Sequence, residues 1–428
     1  MKVEHILGLT LVLTVLVSSV QMAAAADVQR PQLPDAGTLP DSFMYGITRV
    51  FESVDLFFTF DGPARAEKFV NYAGVRLSEA KAMADAGKPE FVDDLVKEYE
   101  NNMNESNEIS QTARGLGTDV TKVTELIALA TSVHLDVLDG VYEKVPEQAK
   151  EAVLKAKEAS MNGQENALRA LSESNPEKAA SINLDAIEGR LSRAKDMAGK
   201  GKSGDVERAL DEYEEMAELS DDLAGEDEDV LEQVATDVNE QMEDLDDIED
   251  GAPADVKAKV EEKKTASRER QKVSLRDLAK TKPEKATEIN LKAAENRLNE
   301  AEEEAEENDA DEVEEVEDEV KEFEDAIEFG NEISQIAKGL GKDTTTVEQL
   351  IAQATATHLT ILTGIYENVP EQAKTAIENA MNVSVQTRER SVDALKEKNA
   401  LGDTPEEIPL SEDVKGKMPE SVNIERGN

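Results

Sequence analysis

The chain has 428 residues and a formal net charge of −48, and it contains neither cysteine nor tryptophan. This charge repels a phosphate backbone and an anionic membrane surface, so we expect no nucleic-acid partner and a heavily hydrated acidic surface, as in salt-adapted proteins. Without cysteine the chain cannot form disulfides, so its stability must come from packing. Aromatic residues make up only 4%, which favours closely packed helices with small aliphatic side chains between them.

The N-terminus has the features of an export signal. Lys2 supplies a positive charge, residues 6–20 are apolar, and residues 23–26 are small and suited to cleavage. We predict a signal peptide over residues 1–26, cleaved before Asp27; the alternative is an uncleaved anchor, although the apolar run is short for a spanning helix. No second apolar segment follows. The mature chain is therefore predicted to lack a transmembrane segment and to lie outside the cytoplasm, secreted or in the cell envelope.

A short aromatic segment follows this signal. Residues 27–61 predict a proline-containing linker and then a helix from Asp41 or Ser42 to about Phe60. Its candidate partner-binding side chains are Phe43, Phe51, Phe57 and Phe58. The pattern favours a docking helix that closes the open end of the first repeat. The alternative is a helix that binds a partner or a membrane through these phenylalanines.

Residues 62–399 contain an internal repeat. The segment GLGTDVTKVTELIALATSVHLDVLDGVYEKVPEQAK at 115–150 returns as GLGKDTTTVEQLIAQATATHLTILTGIYENVPEQAK at 339–374, which indicates one structural unit used again. Shorter landmarks place repeat one at 62–175, a diverged and acidic repeat two at 176–282, and repeat three at 283–399. The landmarks are Arg76-Leu77, Arg190-Leu191 and Arg297-Leu298. Helical spacing of apolar residues predicts an all-α protein of three tandem antiparallel four-helix units with an N-terminal docking helix.

The helical pattern stops after Asn399. Residues 400–428 contain Pro405, Pro409 and Pro419 and predict a flexible tail. The tail has no apolar run that could span a membrane.

Two histidines occupy equivalent positions in the repeats. His134 and His358 each lie on the apolar stripe of a predicted helix, so each needs a polar partner in the core. The favoured interpretation is a hydrogen-bonded core histidine; the alternative is a metal ligand for a divalent cation, completed by carboxylates of neighbouring helices. Aligning Pro253 with Pro146 puts Gln241 at this position in repeat two, where a hydrogen bond survives but a metal site does not.

No catalytic set is recognisable. The chain has no Gly-x-Ser-x-Gly motif and no phosphate-binding or dinucleotide fingerprint after a strand. We therefore predict no enzymatic activity and no cofactor, apart from that divalent cation. The expected function is a scaffold or interaction module in the cell envelope or outside the cell, with an unidentified protein or envelope component as partner.

The N-terminal motifs resemble a known family. Leu39-Pro40-Asp41, Tyr45 and the run Arg76-Leu77-Ser78-Glu79-Ala80 are similar to a domain of unknown function in exported archaeal and bacterial proteins. The resemblance covers about residues 39–110. It implies an extracytoplasmic helical domain, and it carries no catalytic or binding residues.

Overall fold

A computed structural model describes residues 31–307 and 313–422; the predicted signal peptide lies outside these ranges. The described residues form helices and contain no strand. The helices are α1 (Tyr45–Phe57), α2 (Gly62–Asp85), α3 (Val92–Gly115), α4 (Thr121–Lys144), α5 (Glu147–Ser172), α6 (Pro176–Gly199), α7 (Ser203–Ala224), α8 (Glu228–Gly251), α9 (Ala254–Thr281), α10 (Pro283–Glu307), α11 (Val313–Gly339), α12 (Thr345–Asn368), α13 (Lys374–Glu397) and α14 (Glu412–Lys417). The predicted all-α repeat architecture is confirmed.

Local sequence signals set the helix ends. Asp61 caps α2 by accepting a hydrogen bond from the backbone N–H of Ala64, and a proline stands in the first turn. Gly117 and Gly341, which follow α3 and α11, have φ angles of 77° and 74°, a conformation that glycine adopts without strain. These repeat-equivalent glycines therefore reverse the chain at the same place in repeats one and three.

Helical hairpins are the unit of packing. The chain divides into two compact units, Met1–Gly189 and Arg190–Asn428. In the first unit α2 pairs with α3 and α4 with α5, and then α2 packs on α4 and α3 on α5. The second unit repeats this arrangement in α10–α13. Each hairpin thereby buries an apolar stripe that it could not shelter alone.

Packing in the second unit also crosses a predicted repeat boundary. Helix α9, the last of repeat two, packs on both α10 and α11 of repeat three, and α8 packs on α10. Repeats two and three are therefore joined by the same hairpin-on-hairpin contact that operates inside each repeat.

The segment after Asn399 differs from the predicted flexible tail. Residues Leu410, Met418 and Val422 are buried in the core of repeat three. Arg388, fully buried on α13, donates hydrogen bonds to the backbone carbonyls of Pro405 and Glu407. The prolines that suggested a tail instead lie on either side of the short helix α14, in a segment that packs on the last hairpin.

Among the described residues, no helix is both long enough and apolar enough to cross a membrane.

Candidate functional site

The core of repeat one contains a polar contact between α3 and α4. The hydroxyl oxygen of Tyr99 lies 3.3 Å from Nδ1 of His134, and the two rings meet edge to face with centroids 5.3 Å apart. The Ser160 side chain on α5 also hydrogen-bonds Tyr99. Burial lowers the pKa of His134 to about 3, because the charged imidazolium would lose its hydration. His134 is therefore a neutral, hydrogen-bonding core residue.

Close packing surrounds this histidine. A Cβ atom added at Gly74 on α2 would lie 3.4 Å from Nε2 of His134 and 2.8 Å from Cδ of Pro34. Gly74 therefore makes room for both the imidazole and the linker, and any larger residue would displace one of them.

Repeat two has the same contact with different residues. The Tyr213 hydroxyl donates to Oε1 of Gln241 at 3.0 Å and lies 2.6 Å from Oγ of Ser267. The predicted equivalence of Gln241 with the histidines is therefore confirmed. An amide and an imidazole can occupy this position because each has an atom able to accept a hydrogen bond from a tyrosine hydroxyl.

Repeat three keeps the histidine, as His358, but has Phe323 in place of the tyrosine, so the tyrosine hydroxyl is missing. Phe323 packs edge to face on His358, with ring centroids 5.1 Å apart. Burial lowers the pKa of His358 to about 3. Nδ1 of His358 and Oγ of Ser384 are buried and have no hydrogen-bond partner among the described residues. A buried polar group in this condition costs about 1–3 kcal/mol.

The arrangement does not favour the metal alternative for His134 and His358. The described residues contain no group of three or more histidines or acidic side chains that could hold a metal ion. Each imidazole faces an aromatic ring instead of the carboxylates that a divalent cation would need.

A second polar cluster lies beneath α1. Arg76 on α2 is fully buried and contacts Glu79 at 2.9 Å and Glu52 of α1 at 2.5 Å. Arg76 also donates to the Tyr45 hydroxyl at 2.6 Å, and this hydroxyl donates to Glu79 at 2.8 Å. Arg49 of α1 pairs with Glu52 and with Glu98 of α3. Helix α1 is thus attached to α2 and α3 through its charged and hydrogen-bonding side chains.

Opposing effects act on the carboxyl group of Glu79. Burial raises the pKa of Glu79 to about 7, while the Arg76 guanidinium and the hydrogen bond from Tyr45 oppose this rise. Desolvation is the largest of these effects, because only 1% of the residue is exposed. Protonation of Glu79 near neutral pH would weaken its attraction to Arg76.

The equivalent arginine of repeat three is covered by a whole hairpin. Arg297 contacts Asp246 of α8 at 2.9 Å and Glu319 of α11 at 3.0 Å. Arg268 of α9 pairs with Glu322, much as Arg49 of α1 pairs with Glu98. The single helix α1 therefore supplies to repeat one the acid and the base that α8 and α9 supply to repeat three.

The outward side of α1 is apolar. The exposed fractions of Phe43, Phe51, Phe57 and Phe58 are 93%, 70%, 72% and 66%, and α1 has no buried residue. The predicted docking helix is therefore present, and it contacts the repeat through its polar side, whereas the phenylalanines named as candidate partner-binding side chains are exposed. Arg49, Glu52 and Tyr45 make the attachment, which forces the opposite side of the helix to face solvent. We give the name α1 ridge to the exposed apolar side chains of α1 and of the residues directly before and after it: Phe43, Met44, Ile47, Val50, Phe51, Val54, Phe57, Phe58 and Phe60.

The second unit has a charged cavity of about 490 Å³. It lies among α8–α11 and includes Asp246, Lys264, Arg297 and Glu319. Lys264 contacts Asp246 at 2.8 Å, and Arg297 pairs with two of the acids. The bases here neutralise part of a strongly acidic lining.

The motifs that carried the family resemblance now have a geometry. Tyr45, Arg76 and Glu79 form one hydrogen-bonded cluster, although sequence spacing alone gave no sign that they meet. The sequence signal that could have indicated this contact is that all three residues belong to the motifs that carry the family resemblance.

Comparisons with known proteins agree with the fold. No curated protein matches the chain. The chain is similar to a solved structure described as a "Circular tandem repeat protein with novel repeat topology and enhanced subunit contact surfaces", with a TM-score of 0.58, 12% identity, and coverage of 83% of this chain and 77% of that chain. At this identity the likeness concerns the tandem-repeat fold alone. Residues 37–148, which include α1–α4 and the Arg76 cluster, match the Domain of unknown function DUF5667.

Proposed function

We propose that this protein is an exported, non-catalytic scaffold or interaction module of the cell envelope or the extracellular space, and that the α1 ridge is its partner-binding surface. The observation that carries the proposal is the orientation of α1, with Tyr45, Arg49 and Glu52 toward α2 and α3 and the phenylalanines outward. A terminal helix that only capped the repeats would present a polar outer face.

The size of the ridge supports this proposal. Its nine side chains expose roughly 1,000 Å² of largely apolar area. The largest apolar patch on an ordinary monomer is about 300–600 Å², and larger patches mark binding sites. The ridge therefore exceeds what solubility alone would tolerate.

Charge supports the same role. The chain carries a net charge of −48, which keeps most of its surface hydrated and resists nonspecific association. The charged groups of α1 are held by Arg76, Lys68 and Glu98. The ridge is thus an uncharged area that an apolar partner can cover at little desolvation cost.

Site-specific photo-crosslinking tests the proposal. A benzophenone amino acid replaces Phe51 in the full chain, produced in the cells that make it, and the matched control carries it at Leu116, which is 81% exposed on the turn after α3. We expect an adduct of defined mass from position 51 and none of that mass from position 116. Equal labelling at both positions, or none at position 51, would contradict a binding role for the ridge.

A further inference from the structure

We propose that the partner covering the α1 ridge is the α1 ridge of a second copy of this chain, in an antiparallel twofold contact. This inference rests on the proposed function, because it names the occupant of the same surface.

The area of the ridge fits a dimer. A stable protein interface buries about 800 Å² on each partner. The roughly 1,000 Å² that the ridge exposes therefore provides enough apolar surface for one such contact, even when its edges stay wet. The 13 residues of α1 span about 20 Å, so two copies laid antiparallel would align along their whole length.

The surface of the ridge is uneven. A shallow, open groove of about 320 Å³ lies along α1, lined by Arg49, Val50, Ser53, Val54 and Phe57. Phe51, which is 70% exposed, lies outside this lining. In a twofold contact the same patch of both copies meets, so that residue i of one copy touches residue j of the other and the reverse. The Phe51 ring of each copy would then rest in the groove of the other.

Electrostatics predict how the contact responds to salt. Two chains of charge −48 repel each other, but the charged side chains Arg49, Glu52 and Asp55 of α1 are paired with Glu98, Arg76 and Lys68 of the same chain. Repulsion between the remaining surfaces falls as the screening length shortens from about 10 Å at 0.1 M to about 3 Å at 1 M salt. Dimerisation should therefore tighten by roughly tenfold or more over this range.

The absence of cysteine gives a direct experiment. In the full chain, Ser53→Cys places the only thiol in the groove, where a twofold axis would bring two copies together. Leu116→Cys, on the turn after α3, is the matched control. Under mild oxidation we expect rapid covalent dimers for Ser53→Cys alone. Sedimentation velocity should show a dimer of the parent chain that Phe51→Asp weakens by roughly 100-fold, while Leu116→Asp leaves it unchanged.

Other results would overturn the proposal in distinguishable ways. A parent chain that stays monomeric up to about 100 μM in 1 M salt excludes the second copy. If that monomer binds vesicles of neutral phosphatidylcholine, and Phe51→Asp abolishes the binding, the occupant is a bilayer and the ridge remains a binding surface. A dimer that forms equally well with Phe51→Asp refutes the ridge contact. Failure of the proposed function itself would appear separately, as the absence of a position-51 photo-adduct in cells.

Discussion

Repeats one and three place the same residues in the same positions and cover them differently. In repeat one, Arg76 lies under the single helix α1, and Tyr99 satisfies His134. In repeat three, the hairpin of α8 and α9 covers Arg297, and Phe323 leaves Nδ1 of His358 without a partner in the part of the chain that the structure describes. The buried arginine is thus a fixed requirement of the repeat. The element packed over the arginine is a helical hairpin in repeat three and the single helix α1 in repeat one. Of these two elements, α1 exposes an apolar side to solvent.

Removing the arginines should have the largest effect. Arg76→Ala removes the buried cation that Glu52, Glu79 and the Tyr45 hydroxyl share, so we expect a loss of about 3–5 kcal/mol in the free energy of unfolding. Arg297→Ala should cost a similar amount in repeat three. Urea denaturation measures both losses.

The two arginine variants should differ in which residues lose protection from amide hydrogen exchange. Hydrogen exchange should show residues 45–57 opening in Arg76→Ala and remaining protected in Arg297→Ala. Equal loss of protection in both variants would contradict the assignment of α1 to Arg76.

Exchanging one hydroxyl between the repeats should have an intermediate effect. Tyr99→Phe reproduces the condition of repeat three in repeat one and should cost about 1–3 kcal/mol. Phe323→Tyr gives His358 and Ser384 the hydroxyl that their equivalents have, and should stabilise the protein by about 1 kcal/mol. Thermal unfolding checks both. A loss of stability in Phe323→Tyr would show that repeat three has no room for the oxygen.

The smallest expected effect concerns the pH dependence of stability, to which Glu79 contributes in repeat one and Glu300 in repeat three. The carboxyl pKa is raised to about 7 in both Glu79 and its equivalent Glu300, mainly by burial. Because each folded-state pKa lies above the ordinary value of 4.5, the native state binds more protons than the unfolded state between pH 4.5 and 7. The contribution of each group is therefore fully present below pH 4.5 and is lost as pH rises to about 7.

Conservative amide variants isolate this contribution. Glu79→Gln should flatten the decline of stability between pH 4.5 and 7 relative to the parent chain. Glu300→Gln should flatten it by a similar amount, because burial raises the pKa of Glu300 to the same value of about 7. Denaturant melts at four pH values within this window provide the test. An unchanged slope in Glu79→Gln would place its pKa near the ordinary value.

Sequence reasoning predicted the parts of the molecule that repeat. The helical repeat architecture and the equivalence of Gln241 with the histidines both followed from self-similarity and helical spacing. The sequence shows that repeat three has Phe323 where repeat one has Tyr99. It does not show that a tyrosine hydroxyl at this position would have reached His358 and Ser384 in the core.

The orientation of α1 could not be predicted in this way. An amphipathic pattern defines two sides of a helix but does not say which one faces the protein, and burial of the apolar side is the ordinary outcome. Here α1 instead turns its polar side toward the protein, because Glu52 and Tyr45 contact the buried Arg76. The segment after Asn399 was misjudged because its three prolines were given more weight than Leu410, Met418 and Val422, which lie eight and four residues apart and pack in the core.

The central claim is that α1 is held by its polar side, and one pair of variants tests it most directly. In the monomeric chain at low protein concentration, Phe51→Asp should change the free energy of unfolding by less than about 0.5 kcal/mol, as expected for an exposed position. Glu52→Ala, one residue away, should lower it by about 2–3 kcal/mol, because Arg76 would lose a buried partner. The opposite ranking, with Phe51→Asp the more damaging change, would mean that the phenylalanines hold α1 in place and would contradict the account.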